Sequence, residues 1–141
     1  MEDIVSLTPK ILKYQDKPNF RLYLAIACFD TGRIGDARKH VDHALRAEPE
    51  NSDYLLASAA IELRRGGGES ALRSARQSLD TAVGLAGADA EPLRSQILDL
   101  RAILEALSGN RDAALAALGG MKEDVVGKER IDTLRRMIEG N

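Results

Sequence analysis

Apolar residues recur along this sequence at intervals of three and four, the spacing that places side chains on one face of an α-helix. The clearest stripe is Ile131, Leu134 and Ile138 near the end of the chain. Glycine and proline residues separate the periodic segments, and the gaps between these breakers are each about one helix long. The pattern predicts an all-α protein of short helices.

A repeat of 34 residues organises the first half of the chain. Gly32 and Gly66 are 34 residues apart, and both lie where a turn between helices is predicted. The same offset relates four further pairs: Leu22 and Leu56, Asp30 and Arg64, Ala37 and Ala71, and Leu45 and Leu79. A third unit follows at a larger offset, because Gly109 comes 43 residues after Gly66. We expect the additional residues to lie within 80–91, as a longer helix or as a bulging loop.

The repeat resembles the tetratricopeptide (TPR) family, whose unit is a pair of antiparallel helices. The resemblance is clearest over residues 18–51, where the family positions are occupied by Leu24, Ala25, Cys28, Gly32, Ala37, Val41, Ala44 and Pro49. Arg21, Ala25 and Cys28 depart from the Trp, Gly and Tyr that are usual there. Residues 52–79 form a weaker unit that no proline closes. The resemblance implies a right-handed superhelical stack of helix pairs, a TPR-like α-solenoid with terminal capping helices.

We therefore predict a single TPR-like domain over residues 1–141. Its parts are an N-terminal capping helix (8–17), a first repeat (18–51), a second repeat with the insertion (52–92), a third repeat (93–120) and a C-terminal capping helix (121–141). Thr8 and Pro9 form a helix-start signal for the first cap. Leu7, Ile11 and Tyr14 would cover the first repeat. Asn110 is predicted to cap a short helix over residues 112–118.

Composition and charge exclude several classes of function. The chain has 141 residues, 20 Lys and Arg against 22 Asp and Glu, and a formal charge of −2. Without an excess of positive charge, binding to nucleic acid or to an anionic membrane is disfavoured. No apolar run is long enough to span a membrane, and the acidic N-terminus is unlike a signal peptide. The single Cys28 cannot form an internal disulfide, so we expect a cytoplasmic protein. The excess of Arg over Lys suggests a bacterial source.

No constellation for catalysis is apparent, so we predict a protein that is not an enzyme and has no cofactor or metal. His40 and His43 are three residues apart, but two ligands make a poor metal site, and both are expected to point outward into solvent. Cys28 occupies a helix-packing position, which predicts a buried thiol rather than a nucleophile.

A second apolar stripe is the candidate for function. Leu22, Ile26 and Phe29 are spaced i, i+4 and i+7, on a different side of the helix from its predicted core face. The resemblance implies that such positions line a concave inner surface. The predicted partner-binding residues are Leu22, Tyr23, Ile26, Phe29, Asp30, Leu56, Ala60, Leu63 and Arg64.

This stripe predicts the class of partner. Because it lacks the cluster of basic residues that would bind a C-terminal carboxylate, it favours an apolar helical or extended segment of a partner protein. The predicted function is an adaptor or chaperone that binds protein or peptide. The alternatives are self-association through the same face, as in a homodimer, and covering of the stripe by the protein's own terminal helix.

Overall fold

The computed structural model describes residues 18–66 and 68–140, and within these ranges it contains eight helices and no strand. The helices are α1 (Pro18–Asp30), α2 (Ile34–Ala47), α3 (Ser52–Arg65), α4 (Gly68–Val83), α5 (Leu93–Leu107), α6 (Arg111–Gly119), α7 (Glu123–Val126) and α8 (Lys128–Glu139). The prediction of an all-α protein is confirmed for this part of the chain. The predicted N-terminal helix over residues 8–17 lies outside the described residues.

The helices form three consecutive hairpins, α1 with α2, α3 with α4, and α5 with α6. Each hairpin contacts the next, because α2 packs against α3 and α4 packs against α5. The first helices of the hairpins also contact one another in order, α1 with α3 and α3 with α5. The C-terminal helix α8 packs against α5 and α6 and closes the end of the row.

A left-handed glycine lies in the turn of each hairpin. Gly32, Gly66 and Gly109 have φ angles of +81°, +69° and +82°. The first and third turns share a hydrogen-bond pattern, with Arg33 N–H donating to the Cys28 carbonyl at 2.7 Å and Asn110 N–H to the Glu105 carbonyl at 2.8 Å. Residues with a Cβ are strained at such φ values, so the recurring glycines have a conformational cause.

Small side chains let the helices of the first hairpin approach closely. Cys28 packs with Ala37 and Val41 in one buried cluster, as the sequence predicts. Leu24 and Ala44 are fully buried beside it. Alanine at a helix crossing costs little side-chain entropy and permits a short interaxial distance. The core face of α1 is therefore built mainly from small residues, whereas the second stripe, Leu22, Ile26 and Phe29, consists of large ones.

The C-terminal stripe is also buried. Ile131, Leu134 and Ile138 of α8 form a cluster with Ala114 and Leu118 of α6, together with neighbouring apolar residues. Burial of such a stripe, at roughly 1.5 to 3 kcal/mol for each large aliphatic side chain, is the main reason a short helix docks. The polar side chains between them face solvent.

The additional residues before the third hairpin form a loop. Helix α4 ends at Val83, and residues 84–92 consist of turns and bends before α5 begins. Ala88 is buried in this loop, and Leu85 packs against the core cluster of α3, α4 and α5. The loop is thus anchored to the core.

Two local predictions are wrong. His40 does not point outward: its side chain is 8% exposed, and Arg21 Nη1 donates to its Nδ1 at 3.0 Å. The hydrogen bond from Arg21 on the adjacent helix offsets the cost of burying the imidazole of His40. The Asn110 side chain does not cap α6; its Nδ2 donates to Glu105 Oε2 at 2.9 Å instead. A side-chain cap is present at Asn51, whose Oδ1 accepts from Tyr54 N–H at 3.3 Å.

Candidate functional site

A large cleft lies between α1 and α5, with α3 as its floor. Both α1 and α5 contact α3, whereas within the described ranges they do not contact each other. The space between them has a volume of about 590 Å³ and is open to solvent. This volume is in the range of sites that hold a ligand or several side chains of a partner.

Small residues on α3 make the floor of the cleft deep. Ala57 and Ala60 line it, together with the edge of Leu56. A methyl side chain leaves space that a larger residue would fill. Leu22 and Ile26 of α1 form the wall on one side, and Ile26 is 45% exposed, which is high for an isoleucine. The floor and this wall are therefore almost entirely apolar.

The opposite wall comes from the third hairpin and the C-terminal segment. Helix α5 contributes mainly its first two turns, and α7 contributes Val125 and Val126. Arg130 of α8 lines the cleft beside Asp99 of α5. Its Nε and Nη2 donate to the two carboxylate oxygens of Asp99 at 2.9 and 2.8 Å, a bidentate ion pair. Hydrogen bonding to Asp99 raises the pKa of Arg130, and the opposite charges of the two side chains compensate each other.

A smaller cleft of about 110 Å³ extends this surface between α1 and α3. It shares Ile26, Ala57 and Ala60 with the large cleft and continues to Phe29. At its end the Arg64 guanidinium lies 4.6 Å from the centre of the Phe29 ring, and Arg64 Nη1 donates to the Phe29 carbonyl at 3.2 Å. The residues of both clefts are referred to below as the inner surface.

Five of the nine predicted partner-binding residues line the inner surface, and a sixth, Arg64, lies at its end. Four line the large cleft, one lines the small cleft only, and one covers its end; in order along the chain they are Leu22, Ile26, Phe29, Leu56, Ala60 and Arg64. Leu56 is only 9% exposed, so its contribution to the surface is small.

The other three predicted residues lie elsewhere. Tyr23 is 63% exposed but lines neither cleft. Asp30 is exposed at the end of α1, also outside both clefts. Leu63 packs against the core cluster of α3, α4 and α5 and lines a separate depression near Leu107. A spacing of i, i+4 and i+7 therefore does not bring Leu63 to the same surface as Leu56.

Several residues of the large cleft were missed by the sequence reasoning. The lining residues outside the predicted set belong to α3, to the start of α5 with the preceding proline, and to the C-terminal segment: Asp53, Ala57, Pro92, Ser95, Gln96, Asp99, Leu100, Val125, Val126 and Arg130. A signal existed for the α5 residues, because they begin the third repeat just as Leu22 and Leu56 belong to the first helices of the other two. No local signal existed for Val125, Val126 and Arg130, which are brought in by tertiary packing.

Ser95 lines the cleft, and its hydrogen bonds are to groups just outside it. Ser95 is fully buried, and its Oγ accepts from Lys122 N–H at 3.3 Å. A hydrogen bond from Ser95 is the largest cause that lowers the pKa of the neighbouring Glu91. Ser95 therefore ties the start of α5 to the segment before α7. This arrangement supports the geometry of the wall and does not resemble an activated nucleophile.

The described residues bring together no group of three or more His, Cys, Asp or Glu side chains suited to a metal ion. Cys28 is buried, and burial raises the pKa of its thiol. None of the helices in the described ranges combines the length and apolar character needed to cross a membrane.

The inner surface can thus offer apolar contact over most of its area, with carboxylate, amide and guanidinium groups at its edges. Such a surface is suited to burying side chains of another segment. No model of a known protein family matches the sequence, and no curated protein or solved structure matches it either.

Proposed function

We propose that the chain is a TPR-like helical-repeat scaffold whose first helices α1, α3 and α5 form a concave surface that binds an apolar segment of a partner protein. The observation that carries the proposal is the large cleft, with its apolar floor on α3 and the exposed Ile26 on its wall. The proposal includes the adaptor or chaperone role, with no catalytic step.

The order of helix contacts supports the TPR-like part of the proposal. First helices contact first helices along the row, while α2 and α4, the second helices of the first two hairpins, do not contact each other in the part of the chain described. This asymmetry is what curves a row of hairpins with the first helices on the inside. The three left-handed glycines at offsets of 34 and 43 residues support equivalence of the hairpins.

An amphipathic helix is the bound segment that we propose. A partner side chain that fills the space above Ala57 and Ala60 would bury its own apolar surface together with Ile26 and Leu22. Each large aliphatic anchor contributes about 1.5 to 3 kcal/mol, so two or three anchors contribute roughly 3 to 9 kcal/mol before the cost of association, and we expect weak binding. Anchors at i, i+4 and i+7 of a helix have the spacing for such a groove.

Two model peptides of about 18 residues test the proposal. They share one composition, but in one the leucines recur at i, i+4 and i+7 and in the other they are scrambled. We expect the amphipathic peptide to bind the full chain and to shift the amide resonances of Leu22, Ile26 and Ala57. Ile26→Asp should weaken binding by about tenfold or more, because a carboxylate would be desolvated in the cleft.

Val83→Asp is the matched control, since Val83 is 52% exposed on α4 and lies outside the cleft. Circular dichroism should be the same for both variants. Equal binding of the scrambled peptide, or no effect of Ile26→Asp, contradicts the proposal. A sedimentation coefficient that increases with protein concentration would indicate self-association. If Ile26→Asp removes that concentration dependence, the surface is assigned to self-association instead.

A further inference from the structure

Asp53 differs from the other charged residues that line the large cleft. The cleft has three charged side chains, Asp53, Asp99 and Arg130. Asp99 and Arg130 neutralise each other through their two hydrogen bonds. Asp53 makes no ion pair among the described residues, and it is exposed in the first turn of α3.

Asp53 lies in the first turn of α3, next to the N-terminus of the helix. The first turn of a helix favours an anion because the free backbone N–H groups and the helix dipole are positive there. The side chain that caps α3 is that of Asn51, whose Oδ1 accepts the hydrogen bond from Tyr54 N–H. Asp53 does not take part in this cap. Its acceptor oxygens therefore remain available to a donor on an incoming segment.

We infer that the segment bound by the large cleft is an amphipathic helix carrying a Lys or Arg beside its apolar stripe, which pairs with Asp53 while the stripe packs on Ile26, Ala57 and Ala60. This inference rests on the proposed function, because it specifies the chemistry of the partner that the cleft binds. Charge complementarity supports it: with Asp99 and Arg130 paired, the uncompensated charge of the cleft is one carboxylate. A basic residue on the partner is attracted to that carboxylate, and an acidic one is repelled.

The expected energy is small, since the pair forms at an exposed rim. Exposed ion pairs contribute roughly 0.2 to 1 kcal/mol, equivalent to an affinity change of about 1.4- to fivefold. The pair thus selects among apolar helices and sets their orientation, whereas affinity comes from the apolar anchors. Its effect should decrease at high salt.

The test uses three versions of the amphipathic model peptide, with Lys, Gln or Glu at one position flanking the leucine stripe. Binding to the full chain is measured by isothermal titration calorimetry at 20 mM and 500 mM NaCl. We expect the Lys peptide to bind about threefold or more tightly than the Glu peptide at low salt, and the difference to shrink at high salt. Asp53→Lys should reverse the order, and Asp53→Asn should remove it.

Asp36→Lys is the matched control. Asp36 is likewise an exposed acidic residue in a first helical turn, that of α2, but it does not line the cleft. The variant should retain the preference for Lys. The inference is overturned when all three peptides bind equally, or when the preference survives Asp53→Lys, while Ile26→Asp still weakens binding by about tenfold or more. Loss of all peptide binding, or binding insensitive to Ile26→Asp, overturns the proposed function and the inference together.

Discussion

The carboxylate of Glu105 on α5 accepts a hydrogen bond from the guanidinium of Arg76 on α4, with Nη1 of Arg76 2.5 Å from Oε1. Its other oxygen accepts from Asn110 Nδ2 at 2.9 Å. Glu105 is 5% exposed, so these partners offset the cost of burying its charge. Together they join the second and third hairpins and fix the turn between α5 and α6.

Removing Arg76 should therefore destabilise the protein. We expect Arg76→Ala to lower the free energy of unfolding by roughly 1 to 3 kcal/mol, because Glu105 would keep its charge in a buried site with one partner fewer. The measurement is urea denaturation followed by circular dichroism. Arg73→Ala, at an exposed position one turn earlier on α4, should change stability by less than about 0.5 kcal/mol. Equal effects of the two substitutions would contradict the assigned role of Arg76.

Glu105 should also make stability depend on pH. Burial alone would raise the pKa of Glu105, but hydrogen bonds from Arg76 and Asn110 outweigh it and hold the pKa below its ordinary value. The stabilisation is therefore complete above the unfolded-state pKa, about 4.3, and is lost as the pH falls through the lower native pKa.

Urea denaturation between pH 7 and pH 3 should show a smaller loss of stability in Glu105→Gln than in the unmodified chain. A residual slope is expected, because the pKa of Glu91 is lowered as well, chiefly by the hydrogen bond from Ser95. Identical pH profiles for the two proteins would show that Glu105 binds its proton equally well in both states.

The thiol of Cys28 should be unreactive in the folded protein. It is buried between α1 and α2, and burial is the main cause that raises its pKa, which lowers the fraction of reactive thiolate. In Val83→Cys, reaction with Ellman's reagent at pH 8 should show one fast thiol and one slower by on the order of a hundredfold or more, limited by opening of the structure. Two fast thiols would mean that the first hairpin opens readily.

The ion pair of Asp99 and Arg130 should hold α8 against the cleft wall. Arg130→Ala is expected to cost about 0.5 to 1.5 kcal/mol, a modest figure because the Arg130 side chain is 45% exposed. Amide hydrogen exchange should increase in α7 and α8 more than in α1 and α2. Arg135→Ala is the control, since the ion pair that Arg135 makes among the described residues is with Asp132 on the same helix. Uniform exchange changes along the chain would argue against a local role.

Local patterns predicted the helices and much of the core. The stripe of Ile131, Leu134 and Ile138 gave the buried face of α8, and the 34-residue spacing of Gly32 and Gly66 located two turns that require left-handed backbone. These features depend on neighbours within a few residues or on an exact offset, so a single sequence contains them.

The cleft could be predicted only in part. Leu22 and Ile26 were predicted because their spacing places them on a different side of α1 from the core face. Arg130 reaches the cleft through the packing of α8 on α5. The outward placement of His40 failed for a related reason, since a buried imidazole depends on Arg21, which lies on the neighbouring helix. Contacts between distant segments leave little trace in local periodicity.

The large cleft is lined by α1 at one end of the described chain and by α7 and α8 at the other. A molecule bound there would therefore contact both the first hairpin and the C-terminal helices, which do not contact each other within the described residues. Binding in the cleft would therefore stabilise both ends of the row of hairpins against local unfolding, so that partner recognition and the stability of the fold are linked.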